Sequence, residues 1–272
     1  SRNTRGSARG IRYMKMRELE RELMTLADLK YAEDWDNSGL QCGNRDKEIQ
    51  RVFIALDATN EVIDQAIEFG ADLLLTHHPL IFSPLSSIDR EDYIGKRIYR
   101  LIQNDIVLYA MHTNFDVCCM REALDSRIGL EDVRPLELLP GYTDKGIGSV
   151  GTLETEMSLQ SLMDRILERF GISNVKLFGN PDTRVRKVGV LGGSGKSEID
   201  LAVEAGCDVY ISGDIDHHSG IDALEKGISV IDAGHYGLEH VFFEYMREYL
   251  ESKFKDIEIS LEIKHEPYLV YK

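Results

Sequence analysis

The chain has 272 residues, 43% of them hydrophobic and 29% charged, which allows one large domain or two modest ones with ample core. Its 32 basic against 47 acidic residues argue against a non-specific nucleic-acid binder, which needs a basic surface. No apolar run approaches the roughly 18 residues of a membrane helix, so no membrane partner is expected.

Residues 1–13 hold four arginines and no acid before Met14, and are read as an N-terminal remnant foreign to the native chain. Met16 to about Ala32 carries Leu19, Leu23, Leu26 and Leu29 at helical spacing. The turn-forming stretch Glu33 to Leu40 follows, with Trp35 read as a loop anchor rather than the lip of a site. From Arg51 a β-α-β-α-β rhythm begins: strand Val52–Leu56, a helix capped by Asn60 and stopped at Gly70, strand Leu73–Leu75, a helix over Asp92–Asn104, and strand Ile106–Ala110. Such alternation predicts an α/β fold with a largely parallel sheet.

Two of these strands end in polar residues. Leu73–Leu75 runs into Thr76-His77-His78-Pro79, and Ile106–Ala110 into Met111-His112-Thr113-Asn114-Phe115-Asp116. Open α/β sheets place their ligands at such strand ends. Neighbouring side chains of an extended segment point apart, so one ion per histidine is the easier geometry if the pair binds metal at all. Pro135–Gly148 reads as a linker. A second alternating block comprises strand Gly151–Leu153, a helix from Ser158 to Phe170, strands Val175–Phe178 and Val188–Leu191, helix Glu198–Ala205, strand Asp208–Ser212, helix Gly220–Lys226 and strand Ile228–Ile231. Gly192-Gly193-Ser194-Gly195-Lys196 is read as a tight turn, with a phosphate cradle as the other possibility; the G-x-x-x-x-G-K-[ST] spacing is missing. After Asp232-Ala233-Gly234 a helix runs to about Ser252. His235 and Glu239 share a face of it if helical geometry already holds at its start. Glu258–Lys272 reads as an edge strand pair with a solvated His265.

The cysteines, Cys42, Cys118, Cys119 and Cys207, form no C-x-x-C pair. With no signal peptide recognised, a reduced, cytoplasmic protein is expected.

His77, His78, Asp116, His235 and Glu239 form the candidate ligand set. Three imidazoles and two carboxylates suit two divalent ions sharing a carboxylate, and are too many for one zinc with an open position. Nitrogen and oxygen donors without thiolate favour Zn, Fe, Mn, Co or Ni. His112, His218 and Asp214 lie near these segments and are candidates for proton transfer or for orienting the ligands, against simple structural hydrogen bonding.

Trp35-Asp36-Asn37-Ser38-Gly39-Leu40, Thr76-His77-His78-Pro79, His112-Thr113-Asn114-Phe115-Asp116, Gly213-Asp214 with His218, and Asp232-Ala233-Gly234-His235 with Glu239 resemble, in order, the motifs of the GTP cyclohydrolase 1 type 2 homologue family, also called the NIF-three-like family. The resemblance implies a dinuclear site built from the five residues above, with Glu239 bridging. It implies two α/β lobes, the first (14–130 plus 232–272) built from both chain ends and the second from 131–231, assembled as a homohexamer. The chain corresponds to the short form, without the domain that some members insert between the lobes. It departs from the family where Asp216 and His217 stand in place of a lysine and a tyrosine. The family name implies opening of the imidazole ring of GTP. The function expected here is coarser: a metal-dependent hydrolase of a nucleotide or related small molecule acting through metal-bound hydroxide, with a non-catalytic metal-binding or adaptor protein as the alternative.

Overall fold

The computed structural model describes residues 13–271; the remnant expected at 1–13 therefore lies, but for Tyr13, outside the described residues. Strand β1 (Met14–Lys15) leads into α1 (Met16–Leu26), then β2 (Gly39–Cys42) and β3 (Glu48–Ile49), which pairs back on β1. The helix predicted to reach Ala32 stops at Leu26. Asp28 turns its carboxylate onto the Lys30 N–H and starts a separate short turn at Leu29–Tyr31, so side chain and backbone compete for the same donor.

The βα rhythm then appears as β4 (Arg51–Ala55), α2 (Asn60–Phe69), β5 (Leu73–Thr76), α3 (Tyr93–Gln103) and β6 (Val107–Ala110). Thr59, not Asn60, caps α2, its hydroxyl accepting from the Val62 N–H, and Gly70 ends the helix at φ 72°. The three strands run parallel, Val52 beside Leu73 and Leu73 beside Val107. Their near-continuous apolar sequence follows from burial on both faces. Phe53, Leu74 and Leu108 pack under α2 and α3, while Val52, Ile54, Leu75 and Tyr109 enter the larger core on the opposite face.

Beyond β6 come α4 (Thr113–Phe115), a π-helical turn over Asp116–Met120, and α5 (Arg121–Ile128). The predicted linker is overturned. β7 (Leu130–Leu138) and β8 (Gly146–Ser158) form an antiparallel hairpin with Pro135 opposite Ser149. β7 is an edge strand, where a proline's missing donor costs no ladder bond. The rest of the second sheet comes from α6 (Leu159–Phe170, capped by Ser158), β9 (Lys176–Phe178), β10 (Arg184–Ser194), α7 (Ile199–Glu204), β11 (Val209–Gly213), α8 (His217–Glu225) and β12 (Ser229–Asp232), in the order β7-β8-β10-β11-β12-β9. α9 (His235–Glu239) and α10 (Val241–Lys253) follow. β13 (Glu258–Leu261) then returns to the first sheet, parallel to β4, as a single edge strand rather than a pair. The fold is α/β. Among the described residues, no helix is long and apolar enough to cross a membrane.

Candidate metal centre

His77 and His78 extend β5 by one more step. Their N–H groups donate to Ala55 and Leu56 carbonyls at 3.3 and 2.9 Å, which fixes the backbone before Pro79 ends the strand. Asp116 opens the π-helical turn after β6, and His235 and Glu239 stand one turn apart on α9. The ends of both sheets therefore meet at one cluster.

Four histidines there share one device. His77 Nδ1 lies 2.7 Å from the Met111 carbonyl oxygen, and that acceptor requires the proton on Nδ1. His78, His112 and His235 each set Nδ1 2.8 Å from a carboxylate, of Asp57, Asp36 and Asp214 respectively. Each ring thus turns Nε2 inward with its lone pair available, as metal-ligating histidines do.

Glu239 stands among them with both oxygens in use. Its Oε2 is 3.0 Å from His78 Nε2 and 2.9 Å from His235 Nε2, while its Oε1 is 3.5 Å from His77 Nε2. Asp116 Oδ1 lies 3.4 Å from the same His77 nitrogen. Despite these approaches, the buried atoms His77 Nε2 and Glu239 Oε2 have no hydrogen-bond partner. Buried polar atoms without partners are costly, and a divalent cation relieves the cost for both. Two donor groups fit such an ion, His78–His235–Glu239 and His77–Asp116–Glu239, and a third, His77–His78–His112, draws in a residue not expected to ligate. All five residues of the predicted ligand set meet here.

The electrostatics follow from the crowding. Burial, reinforced by neighbouring Glu239, pushes the Asp116 carboxyl up to about 7. Burial opposes charge on Glu239 too, but the surrounding imidazoles outweigh it and hold that carboxyl well below its usual range. His235 is burdened by burial, yet Glu239 and Asp214 raise it to about 9; Glu239 and Asp57 likewise outweigh burial and raise His78 well above its ordinary value.

The glycine-rich stretch makes room for Glu239. Gly192 to Ser194 end strand β10, and a Cβ on Gly193, at φ 75°, would come within 2.5 Å of Glu239 Oε1. The tight turn expected over Gly192–Lys196 comes only at Gly195, whose carbonyl accepts from the Glu198 N–H at 3.3 Å. Asp214, holding His235, is itself left-handed at φ 56°, a strained position for a residue with a side chain.

The cluster forms part of the wall of a cavity of about 840 Å³. Trp35 corrects the anchor reading: it is 59% exposed, lines this cavity, and packs edge-on to His112 with ring centroids 5.8 Å apart. It is a lip of the site. His112 lines the cavity; His218 does not, being exposed on α8 with its ring beside His217. Asp216, at one family departure, caps α8 by accepting from Ser219 and pairs with Lys196. Sequence reasoning assigned no role to Asp57 or Asp36. Asp57 follows the end of β4 and could have been found by the same strand-end rule that singled out His77.

Fold and cluster together define an α/β protein with a histidine–carboxylate centre fitted to divalent metal, set at the C-terminal edge of a parallel sheet. The chain matches the Duf34/NIF3 (NGG1p interacting factor 3) family over residues 14–267, and belongs to that family. A Clostridium perfringens relative named GTP cyclohydrolase 1 type 2 homolog is 34% identical, over 83% of this chain and 87% of its own. A Methanocaldococcus jannaschii relative of the same name is 37% identical, over 90% and 98%. Among solved structures, reduced HcgD from M. jannaschii superposes with TM-score 0.79 at 36% identity, covering 91% of this chain and 97% of that one. A Bacillus cereus protein related to NIF3 reaches TM-score 0.87 at 24% identity, over 96% and 100%, which speaks for the fold alone.

Proposed function

We propose that the chain is a dinuclear metal-dependent hydrolase acting on a nucleotide or related small molecule. The observation that carries this reading is the split of Glu239, whose Oε2 faces His78 and His235 while Oε1 faces His77 beside Asp116. In this reading one ion is held by His78, His235 and Glu239, and the other by His77, Asp116 and Glu239. Divalent ions bound there supply an activated water as nucleophile and a Lewis acid for the substrate's oxygen.

The chain's own groups do the rest. Asp57, Asp214 and the Met111 carbonyl keep the imidazoles in the ligating tautomer. His112 reaches the cavity with Nδ1 anchored on Asp36, so its Nε2 can carry a proton to or from the leaving group. Trp35 and Phe82 border the cavity with aromatic surface on which a flat ring can rest. No thiol is suited to act as nucleophile: burial raises all four, Cys119 up to about 12 and Cys207 up to about 11.

The test is turnover. Protein loaded with one defined divalent metal at a time is screened against nucleotides and related compounds, and activity should disappear on chelation and return with metal. Turnover that persists in metal-free protein, or full metal loading without turnover of any compound, removes the hydrolase reading; the latter leaves a metal-binding or adaptor protein. The family resemblance also leads us to propose a homohexamer, and light scattering giving a monomer of 30.9 kDa would remove it.

A further inference from the structure

The charges around the cavity bear on what it accepts. Apart from the histidines and the carboxylates beside them, its charged lining consists of Glu33, Glu137, Glu198 and Glu262; among the described residues no lysine or arginine lines it. Glu262 is satisfied, taking the Leu56 N–H and the Tyr236 hydroxyl. Glu198 is not: its Oε2 is buried and has no hydrogen-bond partner, and Glu137 adds to the burial that disfavours its charge. At Glu198 Oε2 this acid wall lacks a partner from the protein, and among the described residues no lysine or arginine lines the cavity to supply a cation.

Apart from bound metal ions, proteins grip polyphosphates with guanidinium forks, ammonium groups or the amides of a glycine-rich turn. The glycine-rich stretch in this cavity faces the wrong partner, since the space over Gly193 is taken by the Glu239 carboxylate. The nearby Lys196 is held by Asp216 at 2.9 Å. Two divalent cations bound in the cluster would bring four positive charges, and four carboxylates already face them, Asp116 and Glu239 within the cluster and Asp57 and Asp214 behind His78 and His235.

The lip has the opposite character. Trp35 and Phe82 are 59% and 55% exposed, with ring centroids 5.9 Å apart, and both stand beside the His112 ring. Exposed aromatic surface at a cavity mouth is where a flat ring gains most by stacking. Lip and acid wall therefore ask for different parts of one ligand, a planar face and N–H or cationic groups.

We propose that the cavity selects a phosphate-free heteroaromatic compound, neutral or cationic, stacked at the Trp35–Phe82 lip with N–H groups toward Glu137 and Glu198, in preference to a nucleoside triphosphate. This rests on the cavity being the substrate site of the hydrolase reading and narrows its substrate class.

Trp35 is the sole tryptophan of the chain, so its fluorescence reports on the lip alone. The metal-loaded full chain is titrated with guanosine and with GTP, which differ only in the phosphates, while retained metal is measured in parallel. Guanosine should quench saturably, and GTP should bind at least about tenfold more weakly at physiological ionic strength. The double variant Glu137→Gln, Glu198→Gln should narrow that gap by improving GTP. Binding of GTP as tight as guanosine or tighter, an unchanged gap in the double variant, or no quenching by guanosine overturns the proposal. Turnover is read separately. Guanosine that binds selectively and is never hydrolysed supports the selectivity even if the hydrolase reading falls; tight binding and hydrolysis of GTP do the reverse.

Discussion

His78 Nε2 and His235 Nε2 stand 3.1 Å apart, although 157 positions separate the two residues in the chain. With each Nδ1 already committed to a carboxylate, two inward nitrogen lone pairs this close repel unless a proton or a metal ion lies between them. Glu239 Oε2 completes the triangle at 3.0 and 2.9 Å. The cluster is therefore built around a positive charge, a proton on these rings in metal-free protein or a metal ion that displaces it.

Glu239→Ala should lower occupancy at both ions, because its two oxygens face different donor groups, whereas Asp116→Ala should remove one ion and spare the other. Elemental analysis of protein never exposed to chelator, expressed as ions per chain, separates the two. Equal losses from both variants would count against a bridging Glu239.

The carboxylates behind the rings should matter without touching metal. Asp57→Ala and Asp214→Ala free the Nδ1 positions of His78 and His235, and each should weaken metal binding roughly 10–100-fold with the fold intact. Competition against a chromophoric chelator measures this directly. Affinities equal to the parent chain's would mean the tautomers are set by something else.

Much of this site is legible in the amino-acid sequence itself. A short apolar strand stopped by Pro79, a second strand ending before Asp116, and His235 with Glu239 at helical spacing each point to a strand end or helix face. Open α/β sheets collect such positions on one edge. What stays hidden depends on distant neighbours. Asp57 pairs with a ring 21 positions away and Asp36 with one 76 away, and nothing local marks either contact. The hairpin of β7 and β8 reads as a linker because Pro135, Pro140 and the glycines around them are turn formers; an edge strand tolerates Pro135, and pairing partners outweigh propensity. Gly193 misleads in another way: its glycine serves the side chain of Glu239, far along the sequence, rather than a turn or a phosphate.

Metal affinity should rise with pH. In metal-free protein His235 is raised to about 9, so near neutrality an entering ion must expel its proton. The apparent affinity should climb by about tenfold per pH unit for each proton displaced, His78 being raised as well, and the contribution of His235 should level off as pH passes about 9. Titrations between pH 6 and 8, with proton release measured in buffers of different ionisation enthalpy, test this. An affinity flat across that range would show that the ring is already neutral.

Stability of the metal-free fold should carry an acid-side signature from His240. This ring is only 7% exposed, and burial, with Lys264 nearby, depresses it to about 4. The folded state therefore leaves it neutral where the unfolded chain, near 6.5, has begun to bind a proton. Its contribution is complete above the unfolded value and is lost as pH falls from about 6.5 to about 4, by about 3 kcal/mol in all. His78 and His235 are shifted the other way, so they favour the folded state below their unfolded values and partly mask the loss. The contribution of His240 is isolated by comparison with His240→Gln, which cannot titrate. Urea unfolding at pH 7 and pH 4.5 should show the parent chain losing more stability than the variant over that interval. Parallel losses in the two proteins would mean that His240 is protonated as easily in the fold as outside it, and the acid sensitivity would then lie with carboxylates held below their usual range, such as Glu239, Asp57 and Asp36.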